Sequence, residues 1–335
     1  MKQYSVTYRR ILQNKELTKA EKQVAIKDRT RRIFLGSKNK DGILLQIVVY
    51  TLLICIGFVY LYPLLYMAVT SFMSLEDLLD AAVRWIPTKL YLKNYKDAYY
   101  ALKFKTTLWN SFYVSLIPTI CQVVICASVG YGFARYDFRG KKILMALMIF
   151  TFIIPPQILM MPTYVLYTDM KLIGSMKAFV LPAVLGQGFK SAIFILIYYQ
   201  FFKQIPKSLI EAAYIDGAGH FRSFFRIAIP SAIPAIIVVF LFSFVWYWNE
   251  TYLVTLYLGG PNRGTSGIST ILIELQNFQS NYEQLYPVTA NTPDRINEAI
   301  RMAGTMISIA PLLMIYFSLQ NYFVESVDRT GITGE

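Results

Sequence analysis

The sequence predicts an all-α integral membrane protein with six transmembrane helices, and three observations carry that prediction. Apolar residues make up 55% of the 335 and charged residues only 16%. Mean hydropathy is +0.42, so a soluble globule of this chain would lack polar cover. Apolar runs of about 20 residues, long enough to cross a ~30 Å hydrocarbon layer, recur along the chain. Lys and Arg collect at the ends of those runs, so the net charge of +13 reads as membrane orientation rather than nucleic-acid binding.

The first apolar run, about 43–69, follows roughly forty mostly polar residues. No cleavable leader fits that arrangement, and the run reads as a retained span. Residues 1–42 form a basic tail, expected to lay an amphipathic helix against anionic headgroups. The second span is about 108–133. The third, about 143–163, is interrupted by Pro155-Pro156, which is either a gate hinge or a static kink. The fourth, fifth and sixth are about 177–202, 232–253 and 299–319. Together residues 43–320 make the transmembrane domain, followed by a tail at 321–335.

Orientation comes from the short basic connections. The N-terminal tail carries Arg9, Arg10, Lys15, Arg29, Arg31 and Arg32 among others. The second connection carries Arg135, Arg139, Lys141 and Lys142, and the fourth carries Lys203, Lys207, Arg222 and Arg226. All fall on one side of a six-span chain, which places both termini in the cytoplasm. The loops at about 74–107, 164–176 and 255–298 then lie outside.

The fourth connection, 203–230, is the unusual one: polar, helix-forming and punctuated, yet set between spans. Pro206 blocks continuation of the fourth span. Ser208-Leu209-Ile210-Glu211 fits a capping box with Ser208 as N-cap. Ala212 and Ala213 favour helix with little bulk, and Gly217 suits the left-handed position that ends one. Phe221, Phe224, Phe225 and Ile227 then alternate with Arg222 and Arg226 before Pro230. The expected object is a compact knob of two short helices joined at a glycine.

Glu211-Ala212-Ala213, followed by Asp216-Gly217-Ala218, Ile227, Pro230 and Pro234, resembles the "EAA" coupling signature of type I ATP-binding-cassette importer permeases. The Asp-Gly-Ala form is similar to the maltose-transporter-like, carbohydrate-uptake branch. Trp85-Ile86-Pro87, Asn94-Tyr95, Trp248-Asn249-Glu250 and the tail Gln320-Asn321-Tyr322-Phe323-Val324 look like that branch too. Ile229 departs mildly from the Leu of the general pattern.

The resemblance implies a permease subunit that forms half of a sugar pathway in the cytoplasmic membrane of a prokaryote. It implies a second permease subunit, expected as a different chain, two ATPase subunits and an outer solute-binding protein. It makes Glu211, Ala212, Ala213, Asp216, Gly217, Ala218, Ile227 and Pro230 the ATPase-coupling residues. No cofactor is expected on this chain, with ATP and Mg²⁺ used by the partner ATPases.

Other motifs sort against that reading. Gly186-Gln187-Gly188-Phe189-Lys190-Ser191 fails the spacing of a phosphate-binding loop and follows no strand. Lys190, however, is an ionisable group inside a span, and with Gln187 it is a candidate for the substrate pathway. The alternative is a structural lysine reaching a carbonyl. Trp246, Trp248 and Asn249 are further pathway candidates, because aromatic faces stack on sugar rings. An interfacial aromatic belt explains the same tryptophans. Gly259, Gly260 and Gly264, in a Gly/Pro-rich outer loop, are candidates for touching the binding protein. The three cysteines and the single His220 offer no metal spacing. A membrane enzyme lacks its constellation here. A gradient-driven transporter lacks intramembrane acids and an inverted repeat, and a permease for peptides or another solute is the nearer rival.

Overall fold

In the computed structural model, which describes residues 36–37, 40–259, 267–287 and 295–332, helices carry the fold. The one exception among the described residues is an antiparallel pair of two-residue strands, Gly36–Ser37 and Lys40–Asp41. The described residues fall into two compact units divided between Met67 and Ala68. The first contains most of helix α1, Ile43–Thr70, whose apolar side chains are exposed almost throughout.

The second unit opens with a segment clasped by side chains. Helix α2 (Leu75–Leu79) carries a capping box between Ser74 and Asp77. Asp77 Oδ1 also accepts a 2.6 Å bond from the Thr88 hydroxyl, and that bond holds its carboxyl below the ordinary carboxylate value despite desolvation. Asn94, at the start of α3 (Lys93–Ala101), donates to the carbonyls of Ser71 and Met73 at 3.0 and 2.8 Å. The Asn94-Tyr95 pair is thus the clasp of this segment, with Tyr95 Oη 2.8 Å from Ser71 Oγ.

Helix α4 (Phe104–Arg135) is the axis of the second unit. Against it pack α8 (Ser191–Gln204) and α12 (Ile233–Asn249). Their shared core includes Ala127, Tyr131, Phe194, Tyr198, Phe202 and Val239. The contact is closest at Gly130, where a Cβ would meet Tyr198 Cβ at 2.6 Å and Ile195 O at 3.1 Å. Small residues at such crossings let membrane helices approach backbone to backbone. We expect Gly130→Ala to cost about 1–3 kcal/mol by overpacking, seen as a fall of several degrees in the melting temperature of the detergent-purified protein. An unchanged melting curve would show that the crossing relaxes freely.

The third and fourth spans differ from one another in what the sequence reveals. Helix α5 (Lys141–Ile153) stops where Ile154 and Pro155 each precede a proline and adopt extended ψ values of 123° and 127°. Helix α6 (Pro156–Asp169) restarts with proline at its first position, bent 99° from α5. The segment read as one fourth span is instead two helices, α7 (Lys177–Val184) and α8. Between them Gly186 and Lys190 have φ of +73° and +58°, which ends one helix and begins the next. The reading of an uninterrupted span at 177–202 is corrected accordingly.

Past α8 lie α9 (Lys207–Ile215), α10 (His220–Ser223), a π-helical turn at Phe224–Ala228 and the single turn α11 (Ile229–Ser231). After α12 come α13 (Tyr252–Leu258), α14 (Ile271–Gln276), α15 (Phe278–Leu285) and α16 (Glu298–Ile332). Among the described residues three helices are long and apolar enough to cross a membrane alone. The count rises to five when each of the two bent pairs, α5 with α6 and 220–231 with α12, is taken as one span.

Candidate coupling knob and translocation cavity

The knob is built as follows. Pro206, with ψ of 135°, is the N-cap of α9, and no side chain caps the helix. The capping-box reading of Ser208 is therefore displaced: Ile205, preceding a proline, is held extended, the chain turns in at Pro206, and Ser208 already lies in the first turn. The other end matches the Schellman geometry. Gly217 has φ +79°, Ala218 N donates to Ala213 O at 2.9 Å, and Gly217 N donates to Tyr214 O at 3.0 Å. Tyr214 Oη meets His220 Nδ1 at 2.8 Å across the turn, and Arg135 Nη2 donates to Ile205 O at 2.6 Å.

Ile210 and Ala213 face inward, and Ile210 joins the α4–α8–α12 core. Glu211, Ala212, Asp216, Gly217 and Pro230 are exposed, while Ala218 and Ile227 are half-buried. Ile215 at 87% and Phe221 at 82% exposure, together with the exposed Phe225, give the knob apolar side chains open to a partner. Below it the π turn absorbs Pro230: Ile229 N donates to Phe224 O, five residues back, where the proline ring would crowd a regular ladder.

A second feature lies where the α5–α6 break meets the α7–α8 break. A cavity of about 290 Å³ is lined by Phe152, Ile154 and Pro156 from the first break, by Gln187, Gly188, Phe189 and Lys190 from the second, and by Tyr247 and Tyr257. The unwound backbone there is held by buried side chains. Gln122 Nε2 donates to Phe189 O at 2.6 Å and to Ser191 Oγ at 2.8 Å. Ser243 Oγ donates to Gln122 Oε1 at 2.8 Å and lies 3.2 Å from Thr119 Oγ1. Phe189 N donates to Tyr247 Oη at 3.1 Å. These bonds satisfy the Phe189 carbonyl and amide and the Ser191 hydroxyl at the break.

Of the pathway candidates, the structure brings Gln187 and Lys190 together on this cavity. Trp246 packs against Phe194 at 5.3 Å between ring centroids. Trp248 is buried with Phe112 and Phe244, and Asn249 is exposed at the end of α12. Glu250 accepts from Leu253 N at 2.8 Å in the first turn of α13. Gly259 sits at the C-terminus of α13; Gly260 and Gly264 lie outside the described residues. Gln122, Ser191 and Ser243 were not singled out from sequence, although a polar side chain inside an apolar span is itself the signal that marks them.

Residues 123–329 match the family described as the binding-protein-dependent transport system inner membrane component, and the chain belongs to that family. It is a transport permease with the helical fold of type I importers. Among its relatives is the osmoprotective compounds uptake permease protein GgtD of Synechocystis sp., 29% identical over 84% of this chain and 90% of the relative. The polygalacturonan/rhamnogalacturonan transport system permease protein YtcP of Bacillus subtilis is 27% identical over 87% and 99%. The arabinooligosaccharides transport system permease protein AraQ of Halalkalibacterium halodurans is 26% identical over 83% and 93%. A crystal structure of a bacterial ABC transporter that imports the acidic polysaccharide alginate contains a chain of the same fold, with a TM-score of 0.70 at 20% identity over 84% of this chain and 96% of that one.

Proposed function

We propose that this chain is one membrane-spanning half of an ATP-driven, binding-protein-dependent importer for a sugar or oligosaccharide. It crosses the cytoplasmic membrane six times with both termini inside, the broken fourth segment counting as one crossing. A second permease subunit completes the pathway. Two ATPase subunits, which carry ATP and Mg²⁺, dock on the knob at 206–230. An outer solute-binding protein delivers the solute near the loop that contains Gly259, Gly260 and Gly264. Closure of the ATPases moves the knob, and the spans joined to it swing the cavity between outward and inward openings. The polygalacturonan and arabinooligosaccharide relatives support a saccharide cargo, while the osmoprotectant relative favours a second reading, a small compatible solute.

The observation that carries the coupling role is the pair of exposed apolar side chains that flank the stop at Gly217, Ile215 at the end of α9 and Phe221 in α10. Exposed apolar side chains of this size on a polar knob mark an interaction site. Affinity purification in mild detergent tests it, with ATPase and a second permease expected to copurify. Phe221→Asp removes about 1.5–3 kcal/mol of burial and places a carboxylate in the docking groove. ATPase recovery is therefore expected to fall at least tenfold while the second permease stays bound. A purified chain that sustains uptake without any ATPase overturns the proposal.

A further inference from the structure

The cavity between the two span breaks contains a charge that nothing within it neutralises. Lys190 is the one charged side chain among its described lining residues. No carboxylate among the described residues lies within 4 Å of its ammonium, which stands over the Phe152 ring at 5.7 Å from the centroid. Its main chain is held at φ +58°, a conformation that costs a non-glycine residue free energy and that clusters at functional sites. The surroundings over-determine it: Gln122 grips the Phe189 carbonyl just before Lys190 and the Ser191 hydroxyl just after it.

Lys190 is itself exposed at the mouth of the cavity, and the Phe152 face beside it offsets part of the cost an ammonium meets at an apolar surface. An arriving anion cancels the rest. The same geometry offers an acceptor-rich group one further donor, the Gln187 amide on the cavity wall. Helix α8 begins at Lys190 and adds a field of the same sign.

We infer that this cavity selects a solute bearing an anionic group, a carboxylate or sulfonate on a saccharide, with Lys190 as its counter-ion. Gln122 is a positioning residue that keeps the break open and Lys190 aimed. The inference rests on the importer reading and narrows its cargo to acidic saccharides. A neutral sugar would find stacking surface on Phe152 but would leave the ammonium uncompensated.

The test reads the local potential without needing the cargo. Cys55, Cys121 and Cys126 are replaced by serine, Gln187→Cys is introduced, and the complete importer is assembled in lipid nanodiscs. Residue 187 is then labelled with two methanethiosulfonates of similar size, one carrying a sulfonate and one a trimethylammonium. Rates are read by peptide mass spectrometry and normalised to a free thiol. The anionic reagent is expected to react at least tenfold faster than the cationic one. That preference should fall at least fivefold in Lys190→Met and in Lys190→Gln, and persist in Lys190→Arg. A preference that survives both neutral variants overturns the inference, as does a residue 187 that neither reagent reaches. An assembly that lacks ATPase subunits fails the importer reading instead, and copurification detects that independently of the labelling.

Discussion

Gly217→Val is expected to leave the importer in the membrane and assembled while cutting solute moved per ATP hydrolysed at least tenfold. The position isolates a backbone effect. A Cβ on Gly217 would meet nothing within 4 Å, yet φ is +79°, so packing does not oppose the substitution and conformation does. A β-branched residue in the left-handed region costs on the order of 1–2 kcal/mol or more. Relief of that strain breaks the bonds from Ala218 N to Ala213 O and from Gly217 N to Tyr214 O, each worth about 1 kcal/mol. The helix end frays, and a lever that frays transmits less of the movement imposed on it. The α4–α8–α12 core does not touch Gly217, so insertion should persist. Gly217→Asn is the informative companion, because Asn tolerates the left-handed region and should retain most of the coupling. Uptake and ATPase rates are measured together in proteoliposomes; a wild-type ratio for Gly217→Val would remove the knob from the coupling path.

What the sequence discloses follows from how local each signal is. Pro206, Gly217 and Pro230 are legible because each acts on its own φ, ψ or N–H, and the structure places all three at turns or helix ends. Ser208 was misplaced by two positions because Pro206 can serve as a cap without a side-chain acceptor, and no capping rule ranks that outcome above a serine. Pro155-Pro156 announces its break for the same local reason. The break at 185–190 does not, because the run on either side is continuously apolar. Two glycines permit the interruption, but its hydrogen bonds come from Gln122 and Tyr247, far away in sequence. Lys190 and Gln187 could be nominated for the cavity because charge and amide stand out in a span. The tryptophans could not be assigned. Consecutive residues on α12 point about 100° apart, and a helix apolar on every side gives no periodicity to show which way is inward. Trp248 consequently lies in a packed cluster, while Tyr247, one residue earlier, reaches the cavity.

Gln122→Ala is the second substitution with a large expected effect, and it acts on the break rather than on the knob. Gln122 is fully buried and makes three hydrogen bonds of 2.6–2.8 Å, to Phe189 O, Ser191 Oγ and Ser243 Oγ. Interhelical hydrogen bonds in membranes average about 0.6 kcal/mol, so additive loss of three gives about 2 kcal/mol. That figure is a floor, because alanine supplies no replacement partner and the Phe189 carbonyl is left facing an apolar interior. An orphaned buried group costs about 1–3 kcal/mol. The unwound segment then has two ways to recover: it regains helical bonds, which closes the interruption, or it draws water in. Either outcome turns Lys190 away from its present position over Phe152. The expected result is a fall in the melting temperature of the assembled importer together with at least a tenfold loss of uptake, while the ATPase subunits still copurify because the knob is untouched. Gln122→Glu separates stability from position. It keeps an acceptor for the Ser243 hydroxyl but, when ionised, donates nothing to Phe189 O, so it should restore little transport. Uptake near wild type in Gln122→Ala would mean that the glycines alone hold the break open.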